Sequence, residues 1–420
     1  MLRNASLVGL LAVFLVSITR PSAQTWMPLN TGTTQDLYAV HFVSPDTGYV
    51  VGAAGTVLKT TNGGTSWQNV SPGISQALFD LHFFDADVGV VVGEEGTIMR
   101  TVNGGATWTP VTSGTTETLF SVAFGSTVGI AGAASQVILR SGDQGATWSP
   151  VREGFFGPPF RGVDMVDDVD GFVAGSNAIF QPLVGYTNDG GMTFEFVSFY
   201  LDSNEGYLED IRFFDELDGF AVGVAWNGQG AICHSTDGGQ NWSTTLYPGP
   251  LRGVDLFGSH IGCAVGDGGT IVKTTTGGQT WVPEASGTTV TLNDVDIHCC
   301  VGGPYPGVGY AVGEAGTVLR STMAVALTEG PEVPRFSLEQ NYPNPFTGQT
   351  AIRYHLPEAA AVMLRVVDAL GREVATLAEG EHAAGPHEVT FDASRLSAGT
   401  YLYVLEAGAS RAARPMLVRK

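Results

Sequence analysis

One unit recurs along this chain and limits what it can fold into. Its first copy reads Leu37-Tyr38-Ala39-Val40-His41-Phe42, then Gly48-Tyr49-Val50-Val51-Gly52, Gly55-Thr56-Val57-Leu58-Lys59-Thr60, and the turn Asn62-Gly63-Gly64-Thr65-Ser66-Trp67. Copies follow at Leu78 to Trp108, Leu119 to Trp148, Phe160 to Phe194, Leu208 to Trp242 and Leu251 to Trp281. The closing aromatic steps from Trp67 through Trp108, Trp148, Phe194, Trp242 and Trp281, by 41, 40, 46, 48 and 39 residues. Such a period, with short apolar runs separated by Gly and Asn or Asp, suits four short strands per unit.

A seventh copy starts at Leu292 and stops at Thr322 without its GGxxW segment. The missing strand is at the other end of the chain. There Trp26 followed by Thr31-Gly32-Thr33-Thr34 matches Trp281 followed by Ser286-Gly287-Thr288-Thr289, and Trp26 precedes Trp67 by 41 residues. A first strand that completes the last unit closes a ring and removes the exposed sheet edges an open array leaves. The expected fold class is therefore all-β, with a seven-bladed β-propeller over residues 24–325 closed by its N-terminal strand. With 57 Gly and only 15% charged residues among 420, neither a coiled coil nor a charged disordered chain fits.

The chain opens Met1-Leu2-Arg3, continues through an apolar run from Leu7 to Val16 and reaches Pro21-Ser22-Ala23. That order is a secretory signal with cleavage near Ala23, and the run is too short to span a bilayer. No other stretch is apolar enough for a span, so a soluble, exported mature protein is expected. Twenty Lys plus Arg against 41 Asp plus Glu give a net charge of −21, which repels phosphate backbones and anionic lipid and argues against nucleic acid as a partner. Four cysteines, Cys233, Cys263, Cys299 and Cys300, make neither a disulfide scaffold nor a zinc site. Whether any of them pair stays open.

The turn closing each unit has the form Ser/Thr-x-Asp/Asn-x-Gly-x-Thr/Ser-Trp, seen at Ser141 to Trp148, Ser235 to Trp242 and Thr187 to Phe194. This resembles the Asp-box, or BNR, repeat. The acid can accept backbone N–H groups inside the turn, so Asp143, Asp189 and Asp237 read as structural. With the GYVVG-type second strand, the pattern resembles the photosystem II stability and assembly factor family of propellers, and more distantly sialidase and sortilin propellers. The resemblance covers residues 24 to about 325 and speaks to fold, since propellers host enzymes, receptors and assembly factors alike.

After a Pro- and Glu-containing linker at 326–335 the grammar changes. Asn341-Tyr342-Pro343-Asn344-Pro345-Phe346, Leu370-Gly371-Arg372-Glu373-Val374, Ser397-Ala398-Gly399-Thr400-Tyr401-Leu402-Tyr403 and the basic end Arg419-Lys420 follow in order. Period-two alternation broken by Gly, Pro and Asn predicts a small Ig-like β-sandwich over 336–420. The motifs resemble the type A sorting domain of type IX secretion. That resemblance implies export through the periplasm to the medium or the outer-membrane surface of a Gram-negative bacterium, with the type IX machinery as partner.

Aligning the seven first strands separates scaffold from opportunity. Positions four and six are apolar throughout, whereas position two varies: Tyr38, Phe79, Phe120, Arg161, Glu209, Arg252, Asn293. If position two opens the inner strand, it rings one mouth of the channel, with an aromatic half and a charged half able to grip a chain end or a small anion through Arg161 and Arg252. The insertions fall in blades 4 and 5, at Arg152 to Phe160 with Phe155 and Phe156, at Ser176 to Leu183 with Phe180, at Val197 to Tyr207 with Tyr200, and at Val224 to Gly230 with Trp226. Blade-linking loops and second-to-third strand loops share one face, so these four cluster there as a recognition surface, unless Phe155, Phe156, Phe180 and Tyr200 plug the channel or cover blade edges.

A glycosidase needs two carboxylates about 5 to 10 Å apart. Asp164, Asp210, Asp255, Asp294 and Glu209 are candidates, yet Asp80, Asp210 and Asp294 share position three while Asp164, Asp255 and Asp296 share position five, as a repeated structural role requires. Arg100, Arg140 and Arg320 likewise repeat the end of the third strand with Lys59 and Lys273, and His41 and His82 share position five without a nucleophile motif. The expectation is a non-catalytic secreted or surface propeller, with no cofactor or metal, that recognises a protein, peptide or glycan. The alternatives are a propeller-type glycosidase acting on polysaccharide and an envelope assembly factor. Ligand, oligomeric state and cleavage of the sorting domain are not encoded legibly.

Overall fold

The computed structural model describes residues 26–154, 157–202, 205–258, 260–298, 307–323, 336–338, 341, 344, 346–367, 372–394, 396–397, 399–408 and 410–418. The signal peptide, Phe155, Phe156, Cys299, Cys300 and the linker therefore lie outside the described residues. The chain divides into two compact units, Met1–Ala326 and Leu327–Lys420.

In the first unit the described residues form seven four-stranded antiparallel sheets. Blade 1 is Leu37–Phe42, Gly48–Gly52, Val57–Thr60 and Gln68–Asn69. The next five repeat this order, with inner strands Leu78–Phe83, Leu119–Phe124, Phe160–Met165, Gly206–Phe213 and Leu251–Phe257. The seventh takes Leu292–His298, Gly307–Gly313 and Val318–Met323 from the end of the repeat and Met27–Leu29 from its beginning. Met27 pairs with Arg320, Pro28 with Leu319 and Leu29 with Val318. Each inner strand packs on that of the following sheet, and Leu292–His298 packs back on Leu37–Phe42. Phe42 of blade 1 stacks on Tyr310 of blade 7, ring centroids 3.6 Å apart.

Second strands such as Gly48–Gly52 and Gly89–Gly93 are buried at every position, because each is covered on both faces by neighbouring sheets. Gly52 ends one of them where the linker into the blade crosses: a Cβ there would strike the Asp36 carbonyl, to which the Ala53 N–H donates at 2.9 Å. The same close approach recurs at Gly93, Gly266 and Gly313.

The Asp-box turns hold by the bonds their composition requires. In the blade 3 turn the Ser141 hydroxyl and the Thr147 N–H both donate to Asp143 Oδ1 at 2.9 Å, and Gly145 N–H donates to Ser141 Oγ at 2.9 Å. The Trp148 indole caps the turn carbonyl of Gly145 at 3.2 Å. Asp189 does the same in blade 4; although burial pushes its carboxyl up, the bonds from Thr193, Thr187 and Met192 outweigh this and bring it down to about 2. Its charged form is thus favoured in the fold, so this turn's contribution is present above the ordinary carboxylate range and is lost as pH falls through it. Asp189→Ala is expected to cost about 0.5–2 kcal/mol near neutral pH by uncapping the turn, and the cost should shrink toward pH 2 in denaturant titrations.

The second unit is a two-sheet antiparallel β-sandwich. Ser337–Leu338, Gln349–Leu356 and Gly385–Asp392 form one sheet; Glu373–His382, Ala360–Val367, Gly399–Ala407 and Ser410–Val418 form the other. Their inward residues, among them Phe346, Ile352, Tyr354, Leu364, Tyr403 and Met416, make its core. Asn341 of the opening motif is buried, donating its backbone N–H to the Tyr403 hydroxyl oxygen at 2.8 Å and its side-chain amide to Thr350 Oγ1 at 2.9 Å.

Candidate functional site

The face of the ring is set by a bulge. In all seven inner strands the register shifts between positions one and three of the repeat, as between Leu37 and Ala39, Leu208 and Asp210, or Leu292 and Asp294. One extra residue there puts position one on the same buried side as positions four and six, and leaves position two at the opening. The bulged residues meet around the ring. Tyr38 and Phe79 have ring centroids 5.1 Å apart, Phe79 and Phe120 5.4 Å apart, and the Arg161 guanidinium lies 4.9 Å from the Phe120 centroid. Glu209 then stands between Arg161 at 3.4 Å and Arg252 at 3.6 Å. Asn293 closes the circuit by donating to the Leu37 carbonyl at 2.8 Å. Tyr207 sits by the charged half, its phenol raised by burial and then by Glu209.

The expected grip on an anion meets a physical obstacle here. Arg252 also pairs with Asp267 at 2.5 Å, so two guanidinium groups face two carboxylates. Burial raises the Glu209 carboxyl while Arg161 and Arg252 pull it down. The charged half is internally matched and carries no free cationic fork.

Below the mouth the repeated acids do a single job. The inner strand is an edge strand, and its unpaired N–H groups face the channel. Asp80 accepts Val122 N–H at 2.8 Å, Asp210 accepts Val254 N–H at 3.0 Å, and Asp294 accepts Val40 N–H at 2.9 Å, each from position three to position four of the next blade. Asp164, Asp255 and Asp296 accept Phe213, Ile297 and Phe42 N–H at 2.6 Å, from position five to position six. Every one of these carboxylates is raised by burial, with Asp80, Asp164 and Asp255 brought to about 6. His41 uses the same slot to reach the Phe83 carbonyl at 3.1 Å, and burial lowers it to about 4.

One residue in this channel escaped sequence reasoning. Arg212, at position five of blade 5, bonds Asp210 at 3.1 Å and the Val163 carbonyl at 3.2 Å and lies 4.0 Å from Asp255. Its field is felt by Asp164, Asp210, Asp255 and Asp294, from four successive blades. The signal was a column reading His41, His82, Ala123, Asp164, Arg212, Asp255, Asp296, in which a lone cation stands among acids. Among the described residues no group of three or more His, Cys, Asp or Glu is placed to hold a metal ion.

The second-to-third strand loops of blades 4 and 5 meet each other and the start of the blade 5 inner strand. Phe180, 43% exposed, and Trp226, 61% exposed, have ring centroids 4.8 Å apart at a 59° angle. Both are held from behind. Phe180 sits at φ 56°, a strained value for a bulky residue, fixed by its N–H on the Asn177 carbonyl at 2.9 Å and its carbonyl on Gly206 N–H at 2.7 Å. Trp226 N–H donates to the Glu205 carbonyl at 2.8 Å. Tyr200 is exposed as well, while the adjacent Leu201 is buried. Phe180 and Tyr200 thus keep much of their ring surface in solvent.

Comparison with known proteins gives the following. Residues 18–72 and 65–154 match the family model of the photosynthesis system II assembly factor YCF48, and residues 340–419 match that of the secretion system C-terminal sorting domain. Among solved structures, YCF48 bound to a D1 peptide is similar with a TM-score of 0.55 at 18% identity, over 71% of this chain and 97% of its own. YCF48 from Cyanidioschyzon merolae has a TM-score of 0.55 at 17% identity, over 71% of this chain and 98% of its own. The WD40 β-propeller domain of Doa1 reaches 0.56 at 12% identity, over 71% and 96%. No curated protein matches. The first blades thus match the YCF48 family model, the solved structures share the propeller fold, and residues 340–419 match a C-terminal sorting domain, which indicates secretion or export to the cell surface.

Proposed function

We propose that this chain is a non-catalytic recognition propeller, residues 24–325, delivered through the periplasm by residues 336–420 and the type IX machinery of a Gram-negative bacterium. It holds a protein, peptide or glycan on the face built by blades 4 and 5 and the adjoining mouth. The observation that carries this reading is the Phe180–Trp226 pair, two large aromatic rings left in water while the backbone behind them is pinned. A rigid exposed aromatic pair adds contact area at little entropic cost, which is what binding surfaces use and what stability alone does not need. The engaged channel carboxylates favour binding over hydrolysis, because each is spent on a neighbouring backbone N–H. That a similar propeller has been solved with a peptide bound supports a peptide-sized ligand.

The test uses the mature chain immobilised against polysaccharides and envelope protein extracts, scoring retention and product release together. Phe180→Ala with Trp226→Ala is expected to weaken retention about tenfold or more with no change in thermal midpoint, since both rings are exposed. Released oligosaccharide, or retention indifferent to the double change, overturns the reading.

A further inference from the structure

The mouth ring has two unlike halves, and they differ in charge. In the charged half Arg161 and Arg252 are answered by Glu209 and Asp267, leaving no net charge. The aromatic half, Tyr38, Phe79 and Phe120, has no such balance. The charged groups that act on the Tyr38 phenol, after burial itself, are Asp36, Glu94 and Glu314, and all three raise it. Asp36 and Glu94 are fixed at this rim by accepting the Ala315 and Ala77 N–H groups at 2.8 and 2.9 Å, single neutral bonds that orient a carboxylate without cancelling its charge.

An aromatic face draws a cation through its quadrupole, and a carboxylate within reach strengthens the attraction. The arc already demonstrates this with a side chain of its own: Arg161 lies over Phe120. Phe79 and Tyr38 continue the same arc, and Glu94 is anchored two residues before Phe79, at Ala77, while Asp36 lies two residues before Tyr38. From this we infer that the aromatic half of the mouth receives a positively charged side chain, and that the ligand is a polypeptide segment bearing Lys or Arg. The inference rests on the reading of the propeller as a recognition module and names its partner's chemistry. The net charge of −21 steers such a segment toward the protein and turns away acidic polysaccharide.

The test measures fluorescence anisotropy of labelled decapeptides of alternating Gly and Arg, Gly and Ser, or Gly and Glu with the mature chain at about 50 mM salt, where screening is weak. The Arg peptide alone is expected to bind. Glu94→Gln with Glu314→Gln should weaken it about tenfold, and Phe79→Ala, which leaves the charge alone, about threefold or more. Asp85→Asn with Asp87→Asn, an equal charge change in the loop joining the first two strands of blade 2, serves as control and should leave it nearly unchanged. Thermal midpoints of all variants are read alongside, and Tyr38→Phe is a second aromatic variant that keeps the ring and should keep binding. Equal losses from the control pair, indifference to Phe79→Ala, or binding of the Glu peptide overturns the cationic mouth. Those results leave the recognition reading standing if the Phe180 and Trp226 changes still abolish retention of a natural partner.

Discussion

Trp26→Ala is expected to lower the stability of the propeller by about 3–5 kcal/mol. Trp26 is 1% exposed, and its 41-residue phase and the strand that follows it make it the closing aromatic of the last blade, as Trp67 is of the first. It packs among Cys263, Val265, Ile271, Leu292, Ile297 and Leu319, so it is gripped by blades 6 and 7 together, and its indole N–H donates to Glu284 at 2.9 Å. Truncation leaves a cavity that a rigid interior cannot collapse into and frees Met27–Leu29 from Val318–Met323. Because that pairing joins the two ends of the repeat, the loss should appear as a single cooperative shift in calorimetry, together with new protease sensitivity in the last blade. A cost below about 1 kcal/mol would mean that the first strand decorates the ring and does not close it.

Arg212→Met is expected to be damaging at neutral pH, and its pH dependence separates electrostatics from packing. The Arg212 side chain is 27% exposed and that of Asp255 19%, so removing the guanidinium is expected to cost about 1–3 kcal/mol, below the figure for a fully buried pair, because the remaining charges stay only partly desolvated. Here these are Asp164, Asp210, Asp255 and Asp294. With Arg212 present, Asp164 and Asp255 already titrate near 6, raised by burial against its pull. A carboxyl raised above its unfolded value of about 4 stabilises the fold fully below that value, and the contribution is lost as pH rises through the folded value. Without the guanidinium these carboxyls rise further, so the loss extends to higher pH. The variant should approach the parent at pH 5 and fall well below it at pH 8 in denaturant midpoints. A deficit of equal size at both pH values would assign Arg212 to packing alone.

The two cases mark where the sequence is legible. The Trp26 phase could be read because a strand that closes a ring must carry the repeat's own signature, and 41 residues separate it from Trp67. The grouping of Tyr38, Phe79, Phe120, Arg161 and Arg252 could be read for the same reason, since equivalent positions in a ring are neighbours. What could not be read was the bulge that aims them, because no residue type marks it: Tyr, Phe, Arg, Glu and Asn all occupy it. Nor did the charge of Arg161 predict its surroundings, since Glu209 and Asp267 neutralise the pair only after strands from different blades meet. Arg212 was visible as a lone cation in a column of acids, but its weight comes from four blades converging on one axis. The Phe180–Trp226 contact depends on the meeting of two inserted loops and on a positive φ, neither of which has a sequence signature.

The most direct test of a recognition face is hydrogen–deuterium exchange of the full mature chain with and without a retained partner. Protection is expected over residues 177–181, 205–206 and 225–228 and at the starts of the inner strands around Tyr38 and Phe79. Protection confined instead to the Asp-box turns around Asp143, Asp189 and Asp237, on the opposite ends of the blades, would contradict the account.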